Sequence, residues 1–402
     1  MKKVLCLVLA LMMVFCVLAG CGDKSAEPAN PGTNGETNTG NETTSDTAAF
    51  KLGGTAPLTG GAAIYGNAVK NGAQIAVDEI NAMDDTVKFE LNYQDDEHDA
   101  EKAVNAYNNL KDWGVQLSMG SVTTTPCIAT SAETYADRIF ALTPSASAPA
   151  VIEGKDNMFQ MCFSDTNQGS ASAQYIFDNS LGEKIAVIYK SDDNYSKGIY
   201  NTFMAKAKEL GLEVVSETTF TSDSENDFTV QLTEAKNAGA DLLFLPMYYQ
   251  PASLILQQAN AMGYEPTFFG VDGMDGILSL ENFDTSLAEG VMFLTPFTAD
   301  AEDEETQTFV SDFKDKFGET PIQFAADAYD CVYVIKAAAE KAEITPDMST
   351  SEICDALKTA MTEITYDGLT GKQITWGADG EPTKLPTVVV VEGGKYKVLE
   401  EN

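Results

Sequence analysis

A single histidine, His98, stands in the 402-residue chain, inside the run Asp95-Asp96-Glu97-His98-Asp99. Hydrolytic machinery of the Ser-His-Asp or Cys-His kind needs an imidazole beside its nucleophile. This one sits at a surface-like strand end among carboxylates. The acidic run has the composition of a metal site, but a solvated loop leading into a helix start is the preferred account of it. No Walker-type phosphate loop and no Gly-x-Gly-x-x-Gly follows the first strand. The expectation is a protein that is not an enzyme and holds neither cofactor nor metal. What remains is binding chemistry. Ser121-Val122-Thr123-Thr124-Thr125 lies between a β-rich run and a helical one. Hydroxyls beside the free N–H groups of a helix N-terminus suit a carboxylate, and ordinary N-capping is the alternative. Asp272, in Gly270-Val271-Asp272-Gly273, directly follows a strand. A carboxylate there suits a cation, and a turn aspartate is the alternative.

The N-terminus carries a different chemistry. Lys2 and Lys3 precede an apolar run from Val4 to Leu18, of signal-peptide length and short of the ~20 residues a membrane span needs. It ends in Leu18-Ala19-Gly20-Cys21, which resembles the lipobox of bacterial lipoproteins. The resemblance implies a signal peptide over 1–20, cleavage before Cys21 and a diacylglycerol on its thiol. The expected location is extracytoplasmic, lipid-anchored to the bacterial cell membrane; an ordinary cleaved signal peptide is the alternative. Residues 21–49, poor in anything that could form a core, read as a flexible tether. Four cysteines remain: Cys127, Cys162, Cys331 and Cys354. Their spacing fits no zinc or redox motif. An oxidising location permits a Cys331–Cys354 disulfide; four buried thiols are the alternative.

The elements that must position these groups follow from periodicity. Formal net charge is -36 with 44% hydrophobic residues, so cores are available and nucleic acid is repelled rather than bound. From Phe50 onward, short β-rich runs alternate with amphipathic helical stretches. The strands are Lys51–Pro57, Val87–Tyr93, Val115–Met119 and Ile139–Leu142, with helices Asn67–Asn81, Ala100–Asp112 and Thr125–Asp137 among them. Val69, Ala73, Ala76 and Ile80 share one face of the first helix. The alternation restarts near Asp165 with helix Asn167–Ser180 and strand Ile185–Tyr189. Helices Thr306–Phe317, Phe324–Ala342 and Ser351–Met361 return to the first half, and a terminal hairpin turns at Gly393-Gly394. This is an α/β chain with two Rossmann-like lobes built on parallel sheets.

Several segments, in order and at consistent spacing, carry a family likeness: Gly54-Thr55-Ala56-Pro57-Leu58-Thr59-Gly60 with Tyr65-Gly66, Ala76-Val77-Asp78-Glu79-Ile80-Asn81, Gly120-Ser121-Val122-Thr123-Thr124, Thr143-Pro144-Ser145-Ala146-Ser147-Ala148-Pro149 and Asp192–Gly198. Together they resemble the type I periplasmic binding proteins for leucine, isoleucine and valine. The likeness covers nearly the whole chain after the tether. It implies two lobes joined by three crossover strands, closing on one ligand by a hinge. Lobe 1 is expected to comprise 50–164 and 297–376, and lobe 2 165–296 and 377–402. It further implies an amino-acid ligand, branched-chain or otherwise apolar, handed to an ABC permease and its ATPase subunits by a monomer. By the same likeness Thr124 and Ser147 offer hydroxyls, the Ser145 carbonyl and Asp272 take the ammonium, Tyr195 and Tyr249 close over the ligand, and Tyr65 and Phe324 form the side-chain wall. Tyr248 is expected to be structural.

The chain also departs from the pattern. The family's small first-lobe disulfide falls at His98 and Thr123 and is absent, and Thr125-Pro126-Cys127 replaces a serine-rich segment. A ligand-sensing protein, or a binder of an amide, urea or a small organic acid, is the rival reading. A receptor would carry a transmembrane or signalling segment after the hairpin, and the sequence ends at Asn402.

Overall fold

A computed structural model describes residues 48–399. The apolar leader, Cys21 and nearly all of the tether lie outside the described residues. Five strands build the first sheet: β1 (Phe50–Ala56), β2 (Phe89–Asp95), β3 (Leu117–Ser121), β4 (Phe140–Thr143) and β5 (Met158–Gln160). Their order is β2-β1-β3-β4-β5, every pairing parallel. The helices between them are α1 (Ala63–Ala82), α2 (Ala100–Trp113) and α3 (Thr124–Asp137). The chain then passes to a second sheet of β6 (Lys184–Lys190), β7 (Glu213–Phe220), β8 (Leu242–Leu245), β9 (Thr267–Gly270) and β10 (Met292–Thr295). The intervening helices are α4 (Asp165–Asp178), α5 (Asn194–Leu210), α6 (Thr229–Ala238) and α7 (Tyr249–Ala261).

It returns to the first sheet with α8 (Glu304–Phe317), α9 (Gln323–Lys341) and α10 (Thr350–Met361), and a small ribbon of β11 (Tyr366–Gly368) and β12 (Gly371–Ile374) follows. It ends in the second sheet with β13 (Thr387–Glu392) and β14 (Lys395–Val398). The second sheet runs β14-β13-β10-β9-β8-β6-β7. It is parallel from β7 to β10 but antiparallel where β13 meets β10 and β14, a mixed edge that purely parallel expectations omit. Three passages therefore join the sheets. The third keeps to the first sheet beyond position 377. Gln160 N–H donates to the Gly380 carbonyl (3.0 Å) and Lys384 reaches Asp327 on α9 (2.5 Å).

Local chemistry explains most boundaries. Asp99 caps α2 by accepting from Lys102 N–H (2.9 Å), and Gly114 at φ +91° ends it, an αL stop that glycine adopts at little cost. Ser349 and Glu352 form a capping box on α10. Val69, Ala73, Ala76 and Ile80 are all buried on α1. The hairpin turn rests on Gly393 and Gly394, both at positive φ, as a tight two-residue turn requires. Periodicity misses β5, β10 and the ribbon of β11 and β12; β5 and β10 are three and four residues long and buried throughout, so they show no alternation to read. All four cysteines in the described residues are buried free thiols; the Cys331–Cys354 bridge is not formed.

α9 lies along α1, and the contact depends on Gly72. A Cβ there would stand 2.0 Å from the Ala325 carbonyl oxygen. Gly72→Ala is expected to destabilise the protein by about 1–3 kcal/mol through overpacking, measured by chemical denaturation. An unchanged midpoint would show that α9 shifts freely.

Candidate functional site

Both sheets share one strand order, with a switch between their first and third strands. Ligands in such sheets sit beyond the carboxyl ends of the strands at that switch. The segments that follow β3, β4, β6, β8 and β9 converge there with the start of α1. Tyr65, Val122, Thr123, Thr124, Ser145, Tyr195, Tyr248, Asp272, Gly273 and Phe324 line one small cavity. Six of the eight expected site residues (Tyr65, Thr124, Ser145, Tyr195, Asp272 and Phe324) are therefore brought together.

The other two stand behind the wall. Tyr249 turns its hydroxyl to the Gly61 carbonyl (2.8 Å) and packs edge-on against Tyr65 (centroids 4.9 Å). Its neighbour Tyr248, expected to be structural, lines the cavity instead, stacked on Tyr195 at 4.8 Å. Tyr248 is the extended N-cap of α7 and Tyr249 the first helical residue. Successive side chains diverge at such a junction, and a one-residue placement of it is not legible in the sequence. Ser147 also lies outside the cavity lining. Its hydroxyl is buried beside the Asp165 carboxyl, and the Asp165 N–H donates to the Ser147 carbonyl (3.0 Å). Burial pushes the Asp165 carboxyl well above its ordinary range, with Asp272 and Asp193 adding to the shift. Nothing in the sequence distinguishes Asp165 from a helix-start aspartate.

The two polar ends of the cavity differ in kind. At one, Thr123 is the N-cap of α3 yet makes no side-chain cap, and the Thr124 and Thr125 N–H groups have no partner among the described residues. Ser145 Oγ donates to the Val122 carbonyl (2.6 Å), fixing the loop after β4. At the other end, Asp272 is fully buried. The Tyr195 hydroxyl donates to its Oδ1, its own N–H donates to Gln168 Oε1 (3.2 Å), and its carbonyl accepts from Gln323 Nε2 (2.6 Å). Burial raises its carboxyl to about 7, while the Tyr195 hydroxyl favours the ionised form and pulls the other way. Tyr65 ties the two halves of the site. Its hydroxyl donates to the Gly273 carbonyl and accepts from Tyr249 N–H (3.1 Å), and its ring lies 4.4 Å from that of Phe324.

The acidic run around His98 is spent on local structure. Asp95 accepts from the Leu58 and Glu97 N–H groups, Asp96 from His98 N–H, and Asp99 caps α2. His98 itself is not on the surface: it is half-buried, and its Nδ1 lies 2.9 Å from Thr123 Oγ1. A hydrogen bond thus joins the two positions where the family's disulfide would fall.

These features define a two-lobed solute-binding protein of the type I periplasmic binding protein fold. The chain matches the periplasmic binding protein family over residues 49–395 and belongs to it. It is similar to the Leu/Ile/Val-binding protein BraC3 of Rhizobium johnstonii, 30% identical over 354 residues that cover 87% of this chain and 93% of that one. Among solved structures it resembles a leucine binding protein LivK from Thermotoga maritima, with TM-score 0.79, 26% identity, and coverage of 88% and 98% of the two chains. It also resembles the branched-chain amino acid transporter substrate binding protein LivJ from Streptococcus pneumoniae in complex with isoleucine, with TM-score 0.78, 28% identity, and coverage of 88% and 99%.

Proposed function

We propose that this protein captures a branched-chain or other apolar α-amino acid outside the cytoplasm and delivers it to an ABC-type permease, whose separate ATPase subunits supply the energy. The observation that carries the reading is the pairing of opposite polar ends in one buried cavity. The free N–H groups of α3 with the Thr124 hydroxyl meet the ligand carboxylate, and Asp272 meets the ammonium. The rings of Tyr65, Phe324 and Tyr248 face the aliphatic side chain. A zwitterion buried without both partners would be strongly disfavoured, so this arrangement selects for α-amino acids. The names of the relatives support the branched-chain class.

The deciding experiment is a thermal-shift screen against the twenty amino acids, simple amides, urea and short organic acids. Selective stabilisation by leucine, isoleucine, valine or phenylalanine is expected, since a ligand bound only to the native state raises its stability with concentration. Stabilisation by an amide or organic acid alone would keep the fold and overturn the zwitterion site.

Proton linkage gives a second check. Below about 7 the buried Asp272 carboxyl of the free protein is protonated, and binding an ammonium must then expel that proton. Affinity is expected to fall as pH drops from 7.5 to 5.5, approaching about tenfold per pH unit at the acid end. Calorimetry in buffers of different ionisation enthalpy would count the proton released; a flat affinity profile would remove Asp272 from the ammonium.

The anchoring part of the proposal rests on Leu18-Ala19-Gly20-Cys21. Replacing Cys21 by Ala would leave the protein without its thioether and shift it out of the membrane fraction. The protein is proposed to act as a monomer, so its sedimentation should be that of a single chain.

A further inference from the structure

We propose that His98 is a positioning residue of the ligand site: its Nδ1–H donates to Thr123 Oγ1 and keeps that hydroxyl from capping α3, so that the first-turn N–H groups stay open to an anion. The inference rests on the reading above, and it concerns which atoms keep the carboxylate end available.

Thr123 occupies the N-cap position of α3 with extended backbone, where a threonine hydroxyl ordinarily accepts from the N–H of the second or third helical residue. Here the third helical residue is Pro126, which has no N–H. Only Thr125 N–H could be capped, and Thr123 does not cap it. The hydroxyl faces His98 Nδ1 at 2.9 Å instead. Two hydrogen-bond directions are possible. If the ring donates, the Thr123 hydroxyl hydrogen is released to point into the cavity that Thr123 lines, adding a donor for a carboxylate. If the ring accepts, that hydrogen is spent on the imidazole and is no longer free for a carboxylate. Both arrangements leave the helix end uncapped, and only the first adds a free hydroxyl donor beside it.

The ring is held for this role from several sides. His98 has φ +60°, a left-handed backbone reached in the turn that closes Asp96 onto the His98 N–H (2.9 Å). The Tyr248 ring stands edge-on to the imidazole at 5.5 Å and 84°, so the same histidine braces a wall of the ligand cavity contributed by the second sheet. The ring also borders a second cavity, lined by Tyr248, Lys190, Asp193 and Glu225 as well. Burial holds the imidazole below its ordinary pKa, against the opposing pull of Asp193. A neutral ring must choose a tautomer, and the choice is what the proposal specifies.

Because His98 is the only histidine, ¹⁵N-histidine labelling of the full chain, purified without a histidine tag, reports one ring. At pH 7.5 without ligand, multiple-bond nitrogen–proton correlation is expected to show Nδ1 protonated and Nε2 bare. A bare Nδ1 with protonated Nε2 overturns the proposal whatever the ligand proves to be. The second arm measures affinity for leucine and isoleucine. His98→Asn keeps an amide donor near the place of Nδ1 and tolerates the left-handed backbone, so its affinity should stay within about threefold of wild type. His98→Gln and Thr123→Val should each bind about tenfold more weakly, the scale of one net hydrogen bond, and the melting temperatures without ligand separate this from a folding loss. Equal loss in the Asn and Gln variants, or no loss in Gln, overturns the positioning role. Failure of the wild-type protein to bind either amino acid would instead count against the proposed function, and the tautomer would still decide the hydrogen bond.

Discussion

Replacing Asp272 by Ala is expected to weaken amino-acid binding by at least about a hundredfold while the ligand-free protein keeps its stability. The loss on the binding side follows from burial. An ammonium enclosed without its carboxylate partner is uncompensated, and removing one member of a buried pair costs about 3–5 kcal/mol. The stability side follows from the same residue in the absence of ligand. A carboxyl raised to about 7 by burial gains nothing from the fold when ionised, and its donor partner Tyr195 is retained. The sign is definite: a folded-state value above the ordinary 3.8 means the native protein holds more protons than the unfolded chain between those limits. Asp272 therefore subtracts from stability as pH rises through that window. Asp272→Asn is expected to melt at or above the wild-type temperature at pH 7.5 and to lose the pH dependence of whatever binding remains. Isothermal calorimetry and thermal melts on the same preparations measure both. Affinity within a few-fold of wild type would remove the carboxylate from the ammonium site.

The second large effect is on folding. Lys384, on the third passage between the sheets, and Asp327 on α9 form an ion pair at 2.5 Å whose side chains are 1% and 3% exposed. Lys384 also donates to Thr370 Oγ1 (2.7 Å), and the same hydroxyl donates to Asp330 (2.6 Å). Asp330 is further satisfied by the Leu369 and Thr370 N–H groups. Lys384→Met is expected to lower unfolding free energy by about 3–5 kcal/mol, because Asp327 is left buried without its cation. Burial already raises Asp327 to about 6 against the pull of Lys384. Without the lysine its value rises further, so the deficit should be larger at pH 8 than at pH 5. Adding Asp327→Leu should recover most of the loss, since an apolar pair of similar volume does not carry the desolvation penalty. A denaturation series on the two single variants and the double variant would test this; a Lys384→Met variant as stable as wild type at pH 8 would mean that water reaches the pair.

Strand and helix alternation from Phe50 onward was legible because each element is long enough to show its period. α1 carries Val69, Ala73, Ala76 and Ile80 on one buried face. The short buried strands β5 and β10 and the antiparallel placement of β13 beside β10 were not legible. Pairing partners are chosen across the sheet, and a run buried on both faces has no periodic signature.

The site divides the same way. Residue types that could hold a carboxylate or an ammonium, and their places just after strands, are properties of the sequence: Thr124 after β3, Ser145 after β4, Asp272 after β9. Which of two adjacent tyrosines faces the cavity was decided by where β8 gives way to α7, so Tyr248 lines it and Tyr249 braces Tyr65 from behind. Asp165 and Ser147 become noticeable only as polar groups buried together beside the site, a property of packing rather than of composition. The only histidine read as a loop residue among acids; the fold turned its ring inward onto Thr123 and Tyr248. Local order along the chain sets periodicity, caps and chemical types. Burial, pairing and the direction of a side chain depend on segments far apart in sequence, and only the tertiary structure brings those together.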